Sequence, residues 1–247
     1  EKTMKKLGLL AMARVVMLPG CGGDDDEVED LLREPAGVFF HNQLAATTGT
    51  DATVDLVARN NLSEPLFENR QYSTTEQDGV AFKLNEDIES VVFDMNNSTT
   101  TLVDDQSLEL KAGQNYTLVL MGQVSGTGGD DPILRSYQQS VAAVSDGEVR
   151  IRLIHALSGL SGQPLTVSVG GDALVDGFIF SQATDYEAVV PASDNMLKLN
   201  VFRYAMWTGV DQVDCEIEKG KSYDVIITHP TYDSEVVEIF CQQVRGS

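Results

Sequence analysis

The stretch LELKAGQNYTLVL at residues 108–120 occurs a second time in the chain, as CEIEKGKSYDVII at residues 215–227. Both copies contain a short alternating run, a glycine turn, and a tyrosine that begins a second apolar run. Three further pairs of segments match in the same order: 38–41 with 152–155, 54–57 with 165–169, and 133–139 with 237–243. Four matches in one order predict two tandem copies of a single domain.

Short strands with turn residues between them are predicted throughout both copies. Apolar and polar residues alternate along 165–169 and again along 223–227, and glycines are spaced too closely for long helices. About seven short strands in roughly 100 residues is typical of an immunoglobulin-like sandwich. We therefore expect an all-β chain with two tandem immunoglobulin-like β-sandwich domains, at residues 36–140 and 148–245.

A tyrosine follows the glycine turn in each copy, as Tyr116 and Tyr223. One interpretation is the tyrosine corner of immunoglobulin-like domains, in which the hydroxyl group bonds to nearby backbone. The other is an ordinary, half-buried strand tyrosine. The sequence favours neither.

The N-terminal segment has the order of a bacterial lipoprotein signal. Two lysines precede an apolar run at 7–17, and the tetrapeptide LPGC ends at Cys21. This run is too short to span a bilayer. We predict a lipoprotein signal at 1–21, lipid on Cys21, and an acidic linker at 22–35. A plain secretory signal and an uncleaved amphipathic anchor are the alternatives, because a proline and an arginine depart from the usual pattern.

The predicted cellular location is the bacterial cell envelope. Gly22 follows the lipid cysteine in place of the aspartate that commonly retains lipoproteins at the inner membrane, which favours the outer membrane. Whether the protein faces the periplasm or the cell surface stays open. Two cysteines remain after Cys21, and in an oxidising compartment Cys215 and Cys241 are predicted to form a disulfide.

The repeat alignment places Leu108 and Tyr137 where the second copy has Cys215 and Cys241. Since bonded cysteines need Cα atoms within about 7 Å, we expect Leu108 and Tyr137 to touch in the first copy.

A large negative charge restricts the partners. The formal net charge is −21, which opposes binding to nucleic acid and to anionic membrane surfaces. The sequence contains no phosphate-binding loop, no nucleophile elbow and no metal-ligand spacing, so we predict no cofactor, no metal and no catalytic residue.

Residues 149–156, VRIRLIHA, contain an arginine, two apolar residues and His-Ala at the start of a β domain. This opening resembles an uncharacterised bacterial family that is catalogued only as a domain of unknown function and often occurs in tandem in exported proteins. The resemblance covers 148–243 well and 36–140 more weakly, since Val38 stands at the place of the motif arginine. It implies an immunoglobulin-like fold and an envelope location, and it implies no activity.

The residues of this motif have structural interpretations. His41 and His155 are expected to bond to neighbouring backbone. Arg152 lies an odd number of residues from His155, so on a regular strand the two point to opposite faces, and Arg152 is expected to pair with a carboxylate.

A loop distinguishes the two copies. Residues 204–208 contain Tyr204, Met206 and Trp207, the only tryptophan of the chain, where the first copy has a polar run. Aromatic loop residues serve as anchors for sugars or protein partners. The alternative is that Trp207 packs against the other domain or its own core.

The sequence as a whole predicts a non-catalytic cell-envelope lipoprotein that acts as a binding or structural module. Its partners are the membrane, through lipid on Cys21, and a protein or a glycan. One alternative is a subunit of an extracellular assembly or filament that self-assembles by strand addition. A hydrolase that uses His41 or His155 with a carboxylate is a weaker alternative.

Overall fold

Strands make up all of the regular structure in the described residues. The computed structural model describes residues 33–45, 53–59, 64–97, 100–124, 130–158, 164–193, 195–203, 210–229 and 236–246. The first eight strands are β1 Ala36–Ala45, β2 Val54–Ala58, β3 Phe67–Arg70, β4 Val80–Phe82, β5 Ile88–Asn96, β6 Thr101–Lys111, β7 Asn115–Gln123 and β8 Ile133–Gln138. The next eight are β9 Val149–His155, β10 Leu165–Val169, β11 Asp172–Phe178, β12 Glu187–Val189, β13 Met196–Arg203, β14 Val210–Glu216, β15 Ser222–Thr228 and β16 Glu238–Gln243.

Four sheets of four strands form two sandwiches, which confirms the predicted fold class. In the first sandwich, an inner sheet of order β4-β1-β7-β8 packs on an outer sheet of order β3-β2-β5-β6. In the second, the inner sheet is β12-β9-β15-β16 and the outer sheet is β11-β10-β13-β14. The two orders are the same strand for strand, as expected for tandem copies of one domain.

Both inner sheets are covered on both faces. Strands β7 and β15 are almost entirely buried, and they pair in parallel with β1 and β9. One face of each inner sheet packs against its own outer sheet. The other faces meet in a third apolar cluster, which we call the interface cluster; its buried members are Val119, Met121, Ile154, Ala156, Ile226 and Phe240. Continuous apolar runs in these strands follow from burial on two faces.

The interface makes the two sandwiches one compact unit, Arg33–Ser247. Whether the predicted ranges 36–140 and 148–245 fold separately stays a prediction.

Both tyrosines form corners, which was one of the two interpretations that the sequence left open, and the predicted disulfide is present. The Tyr116 hydroxyl accepts a hydrogen bond from the backbone N–H of Lys111 at 2.9 Å, and Tyr223 accepts one from Glu218 at 2.8 Å. Each bond reaches five residues back along the chain, so both tyrosines form corners. Cys215 and Cys241 are bonded and join the outer strand β14 to the inner strand β16, with Cα atoms 5.9 Å apart.

The predicted contact between Leu108 and Tyr137 is wrong, because the alignment of β8 with β16 was one residue out of register. Val225 pairs with Cys241, and its counterpart Leu118 pairs with Ser136. Ser136 is therefore the counterpart of Cys241. Tyr137 lies on the other face of β8 and packs against the interface cluster, whereas Leu108 packs in the core of the first sandwich.

The first strand of each sandwich needs the same one-residue correction. Phe40 pairs with Leu118 as Leu153 pairs with Val225, so Asn42 is the counterpart of His155. The hydrogen bonds that the Asn42 and His155 side chains make support this register. The Asn42 Oδ1 atom accepts a hydrogen bond from the N–H of Leu44, and the His155 Nδ1 atom accepts one from Leu157, in each case two residues ahead.

The same register makes Phe39 the counterpart of the motif arginine Arg152, and Ile154 the counterpart of His41. The placement of Val38 at the arginine position is therefore wrong by one residue.

The two sandwiches meet across a pseudo-twofold axis. Thr117 and Asp224 are counterparts in the two repeats, and they are hydrogen-bonded to each other across the interface. Contacts away from this point are reciprocal. Tyr137 on β8 donates to the Ser181 carbonyl of the second sandwich, and Gln242 on β16 accepts from the N–H of Gln77 in the first. Such an interface uses the same patch on both partners and closes on itself.

Candidate functional site

A buried ion pair lies at the centre of the interface. Arg152 and Asp224 sit opposite each other on the adjacent strands β9 and β15. The guanidinium donates to both carboxylate oxygens, from Nε at 2.9 Å and from Nη2 at 2.8 Å. The Asp224 carboxylate is fully buried and also accepts from the hydroxyls of Thr117 and Tyr186. Four donors satisfy the charge that burial would otherwise leave unpaired.

This pair confirms that Arg152 bonds to a carboxylate and lies on the face opposite to His155. Its Nη1 atom also donates to the Gln138 carbonyl of the first sandwich at 2.8 Å. One arginine therefore links strands of both sandwiches, and the network holds them in a single arrangement.

The ring of Tyr186 packs against two arginines. Arg150 and Arg152 place their guanidinium carbons 4.4 Å and 4.5 Å from the ring centroid. The Tyr186 hydroxyl donates to Asp224 at 2.6 Å, which fixes the ring in place. Burial, and then the adjacent Asp224 carboxylate, raise the pKa of this hydroxyl well above its ordinary value. Tyr186 therefore keeps its proton at any physiological pH and acts as a hydrogen-bond donor.

A groove of about 470 Å³ opens beside this ring, at the junction of the sandwiches; we call it the Arg150 groove. It is lined mainly by polar side chains from both sandwiches: Gln138, Gln139, Ser140, Arg150, Arg152, Thr184, Asp185 and Tyr186. Its volume falls in the range of small-molecule sites. Arg150 is half-buried, and its Nη1 atom donates to the Ser140 carbonyl at 2.7 Å.

The first sandwich has a counterpart of this groove with different chemistry. Strand register equates Gly37, Phe39 and Gly79 with Arg150, Arg152 and Tyr186. The resulting groove, of about 420 Å³, is lined by these residues together with Arg245, whose guanidinium lies 5.6 Å from the Phe39 ring. A Cβ atom at Gly79 would lie 2.6 Å from that ring, so the Phe39 side chain takes the space that Tyr186 uses in the second sandwich. The guanidinium of Arg150 is thus particular to the second sandwich.

The histidines are buried away from this groove. His41 contacts the Phe240 ring in the interface, with centroids 4.9 Å apart, and neither of its ring nitrogens has a partner among the described residues. The predicted backbone bond is therefore wrong for His41 and right for His155. Burial lowers the pKa of both histidines to about 3, helped by Arg70 at His41 and by His229 at His155. Both rings are neutral at physiological pH.

A serine and a histidine meet at the end of β15. Ser158 Oγ and His229 Nε2 lie 3.0 Å apart. Both residues are at most 2% exposed, so a substrate cannot reach the hydroxyl in this arrangement. Nucleophilic catalysis needs access as well as an adjacent base.

Three carboxylates cluster on the first outer sheet. The oxygens of Asp94, Asp104 and Asp105 lie within 4.8 Å of one another. Arg59 is hydrogen-bonded to all three and supplies the positive charge there.

Several residues singled out from the sequence lie outside the described residues: Cys21, Tyr204, Met206 and Trp207. Lipidation of Cys21 and partner contact by the aromatic loop therefore stay predictions.

Sequence reasoning missed Arg150 and Tyr186. No local spacing in the sequence places Tyr186 against residues 150 and 152. Comparison of the two repeats at equivalent positions could have singled out Arg150 and Tyr186. The alignment was wrong by one residue, and it therefore gave them the wrong counterparts in the first repeat.

Comparisons with known proteins identify no relative in sequence. No family model and no curated protein matches the chain, so the resemblance at residues 149–156 stays a prediction. A streptococcal family 41 carbohydrate-binding module that recognises alpha-glucan is similar in structure at 11% identity, over 84% of this chain and 97% of that chain, with a TM-score of 0.25. A Bacteroides eggerthii protein described as a candidate for cell adhesion is 12% identical over 86% and 96%, with a TM-score of 0.18. Among the described residues, no helix has the length and apolar character needed to cross a membrane.

Proposed function

We propose that this chain is a non-catalytic lipoprotein of the bacterial cell envelope, held at the outer membrane by lipid on Cys21, and that its paired sandwiches form a rigid binding module. The observation that carries the binding role is the Arg150 groove. It combines an accessible guanidinium with polar side chains from both sandwiches, on a scaffold fixed by the Arg152–Asp224 pair. Polar groups held by a rigid interface are suited to recognition.

The chemistry of the groove supports binding over catalysis. A general acid or base works best with a pKa near the ambient pH. The Tyr186 pKa is raised, and the Asp224 carboxylate already accepts four hydrogen bonds. His41 and His155 are buried and have pKa values of about 3. These four side chains have structural roles and are not available for proton transfer, which disfavours the hydrolase alternative.

Assembly by strand addition has less support than binding. One edge strand of each inner sheet, β4 or β12, contains only three residues, and the other, β8 or β16, contains six. The longer outer edge β6 carries Asp104, Asp105 and Glu109, and charges on an edge oppose pairing with another chain. The interface between the sandwiches is already closed, so it does not offer a repeating contact.

Two measurements test this proposal. Lipidation and membrane location are tested by expressing the chain in a bacterial host and determining the mass of its N-terminal peptide, with Cys21→Ser as control. We expect a lipid-modified cysteine and recovery in the outer-membrane fraction, both lost in the variant.

The binding role is tested by applying the purified chain to an array of bacterial and host glycans. We expect saturable binding without cleavage of the bound glycan. Absence of binding to every glycan, or release of new reducing ends, contradicts the proposal.

A further inference from the structure

We infer that the Arg150 groove recognises a carboxylate-bearing sugar, a uronic acid, through the guanidinium of Arg150. The inference rests on the proposed binding function and names the class of ligand. Its starting point is a guanidinium that is fixed in place but incompletely bonded. Three observations support it: the hydrogen bonds of Arg150, its stacking on Tyr186, and the polar groups around it.

One side of the Arg150 guanidinium is used and the other is available. Nη1 donates to the Ser140 carbonyl, while Nε and Nη2 make no hydrogen bond among the described residues. The edge formed by Nε and Nη2 carries two parallel N–H donors, which match the two oxygens of a carboxylate. The structure therefore leaves open the donors that bidentate recognition uses.

The orientation of this edge is set before a ligand arrives. The guanidinium is stacked 4.4 Å from the Tyr186 ring centroid, and that ring is fixed by its bond to Asp224. A long arginine side chain normally loses rotamer freedom when it binds. Here the bond to Ser140 and the stacking on Tyr186 have already restricted it, so less entropy is lost on binding.

The remaining polar groups favour a sugar over a simple acid. Asp185 is exposed and lines the groove, and it makes no side-chain hydrogen bond or ion pair among the described residues. Its carboxylate would accept bonds from hydroxyl groups, and it would repel a second negative charge on a ligand. The Ser140 hydroxyl and the Gln138 side-chain carbonyl also line the groove and can bond to hydroxyls. A single carboxylate on a ring of hydroxyls satisfies all of these groups.

The first sandwich provides an internal negative control. Gly37 occupies the position of Arg150, and the counterpart groove holds the Phe39 ring in place of Tyr186. The guanidinium in that groove, which belongs to Arg245, is already paired with the Glu76 carboxylate at 3.8 Å. The inference therefore predicts one uronate site per chain, in the second sandwich.

The test is titration of the full chain with the methyl glycoside of D-galacturonate, which carries a single carboxylate, followed by calorimetry and by NMR shifts. The methyl glycoside of neutral D-galactose and acetate, a simple acid with one carboxylate, serve as comparison ligands. We expect one site, with weaker binding of both comparison ligands. Arg150→Gln should weaken uronate binding about tenfold to a hundredfold, the usual effect of losing hydrogen bonds to a charged group. Arg150→Lys should weaken uronate binding nearly as much, because an ammonium group keeps the charge but lacks the two parallel N–H donors of a guanidinium.

A control variant separates the site from overall charge. Lys198→Gln removes one positive charge from the exposed face of β13, outside the groove, and should leave uronate affinity within about twofold, because a distant surface exchange does not disturb the contacts of the groove. Equal binding of galacturonate and galactose, or an unchanged affinity in Arg150→Gln, overturns the inference. If the chain binds neutral glycans alone, the inference fails and the proposed function stands. If it binds no glycan at all, both fail.

Discussion

Thr117 and Asp224 hold equivalent positions in the two repeats, and the hydroxyl of the first donates a hydrogen bond to the carboxylate of the second across the pseudo-twofold axis. The same sequence position thus carries a neutral donor in one copy and a charged acceptor in the other. Two aspartates here would repel each other, and two threonines would leave Arg152 without a counter-ion. Divergence of the repeats at this position is what lets the two inner sheets pack.

Removal of the buried carboxylate should strongly destabilise the protein. Asp224→Ala leaves the Arg152 guanidinium buried without its partner, and we expect a loss of about 3 to 5 kcal/mol in the free energy of unfolding. Thr117→Val removes two buried hydrogen bonds, the one that its hydroxyl donates to Asp224 and the one that it accepts from Gln139, and should cost about 2 kcal/mol. Urea denaturation measures both. Asp214→Ala, an exposed control on β14, should leave stability unchanged within about 0.5 kcal/mol, and a similar loss at Asp214 would refute the assignment.

The disulfide should stabilise the second sandwich. Cys215 and Cys241 are 26 residues apart in sequence, and closing a loop of that size contributes about 3 kcal/mol in the chain-entropy model. A reducing agent should lower the urea midpoint of the wild-type chain and have no effect on the double variant Cys215→Ala/Cys241→Val. Equal midpoints for the wild type with and without reductant would contradict this prediction.

The register of β8 can be tested by transferring this disulfide to the first sandwich. Leu108 and Ser136 hold the positions of Cys215 and Cys241, so Leu108→Cys/Ser136→Cys should form a bond on air oxidation. Leu108→Cys/Tyr137→Cys should not, because the Tyr137 side chain lies on the opposite face of β8. Peptide mapping under non-reducing conditions identifies the bonds. A bond in the Tyr137 variant and none in the Ser136 variant would restore the alignment made from sequence.

Acid should destabilise the chain through its buried histidines. The pKa of His41 is about 3 in the folded protein and about 6.5 when exposed on unfolding. As the pH falls, the unfolded state binds a proton on His41 at a higher pH than the folded state does. The free energy of unfolding is therefore not reduced by His41 above pH 6.5, and it decreases as the pH falls from 6.5 towards 3. The loss is about 1.4 kcal/mol per pH unit for one histidine.

Substitution of His41 isolates this effect. Its counterpart is the apolar Ile154, so His41→Ile should preserve the packing. The free energy of unfolding of this variant should fall less steeply with decreasing pH, by about 1.4 kcal/mol per pH unit. Arg70 is the charged group that acts on His41, and it is unchanged in the variant. Stability curves measured at pH 7.5, 6 and 5 provide the comparison; identical slopes for the variant and the wild type would rule out the assignment.

The tyrosine corners should contribute equally in the two sandwiches. Tyr116→Phe and Tyr223→Phe each leave a backbone N–H without its acceptor, at Lys111 and at Glu218. We expect a loss of about 1 to 3 kcal/mol in each case, measured by urea denaturation. Tyr72→Phe, which removes a half-buried hydroxyl that donates to Glu238, provides the comparison outside a corner. A negligible effect at both corners would show that the tyrosines act by packing alone.

Much of the fold was accessible from sequence because it depends on local patterns. Alternation in 165–169 and 223–227 marks strands, whereas the turn before Tyr116 and Tyr223 made a tyrosine corner only one of two interpretations. The pairing of Cys215 with Cys241 followed from the count of cysteines. These features repeat within about a hundred residues, so one copy supports the interpretation of the other.

The register of β8 and β1 was less accessible, because a slip of one residue preserves the apolar character of a strand that is buried on both faces. Residues 38–41 read as apolar in either alignment, and the period of two that normally fixes register is absent there. That slip paired His41 with His155 and concealed the correspondence of Gly37 with Arg150.

By itself the sequence determined that this protein is a tandem pair of all-β domains with a disulfide, because these are set by residues close in the chain or by residue type. Only the tertiary structure decided that the inner sheets pack face to face and that Arg152 and Asp224 are buried between them. It also decided that Nε and Nη2 of Arg150, beside Tyr186, make no hydrogen bond to the part of the chain that the structure describes. Those contacts join residues that are distant in sequence and lie on opposite sides of an interface. They depend on strand register and on packing, which the order of residues does not display.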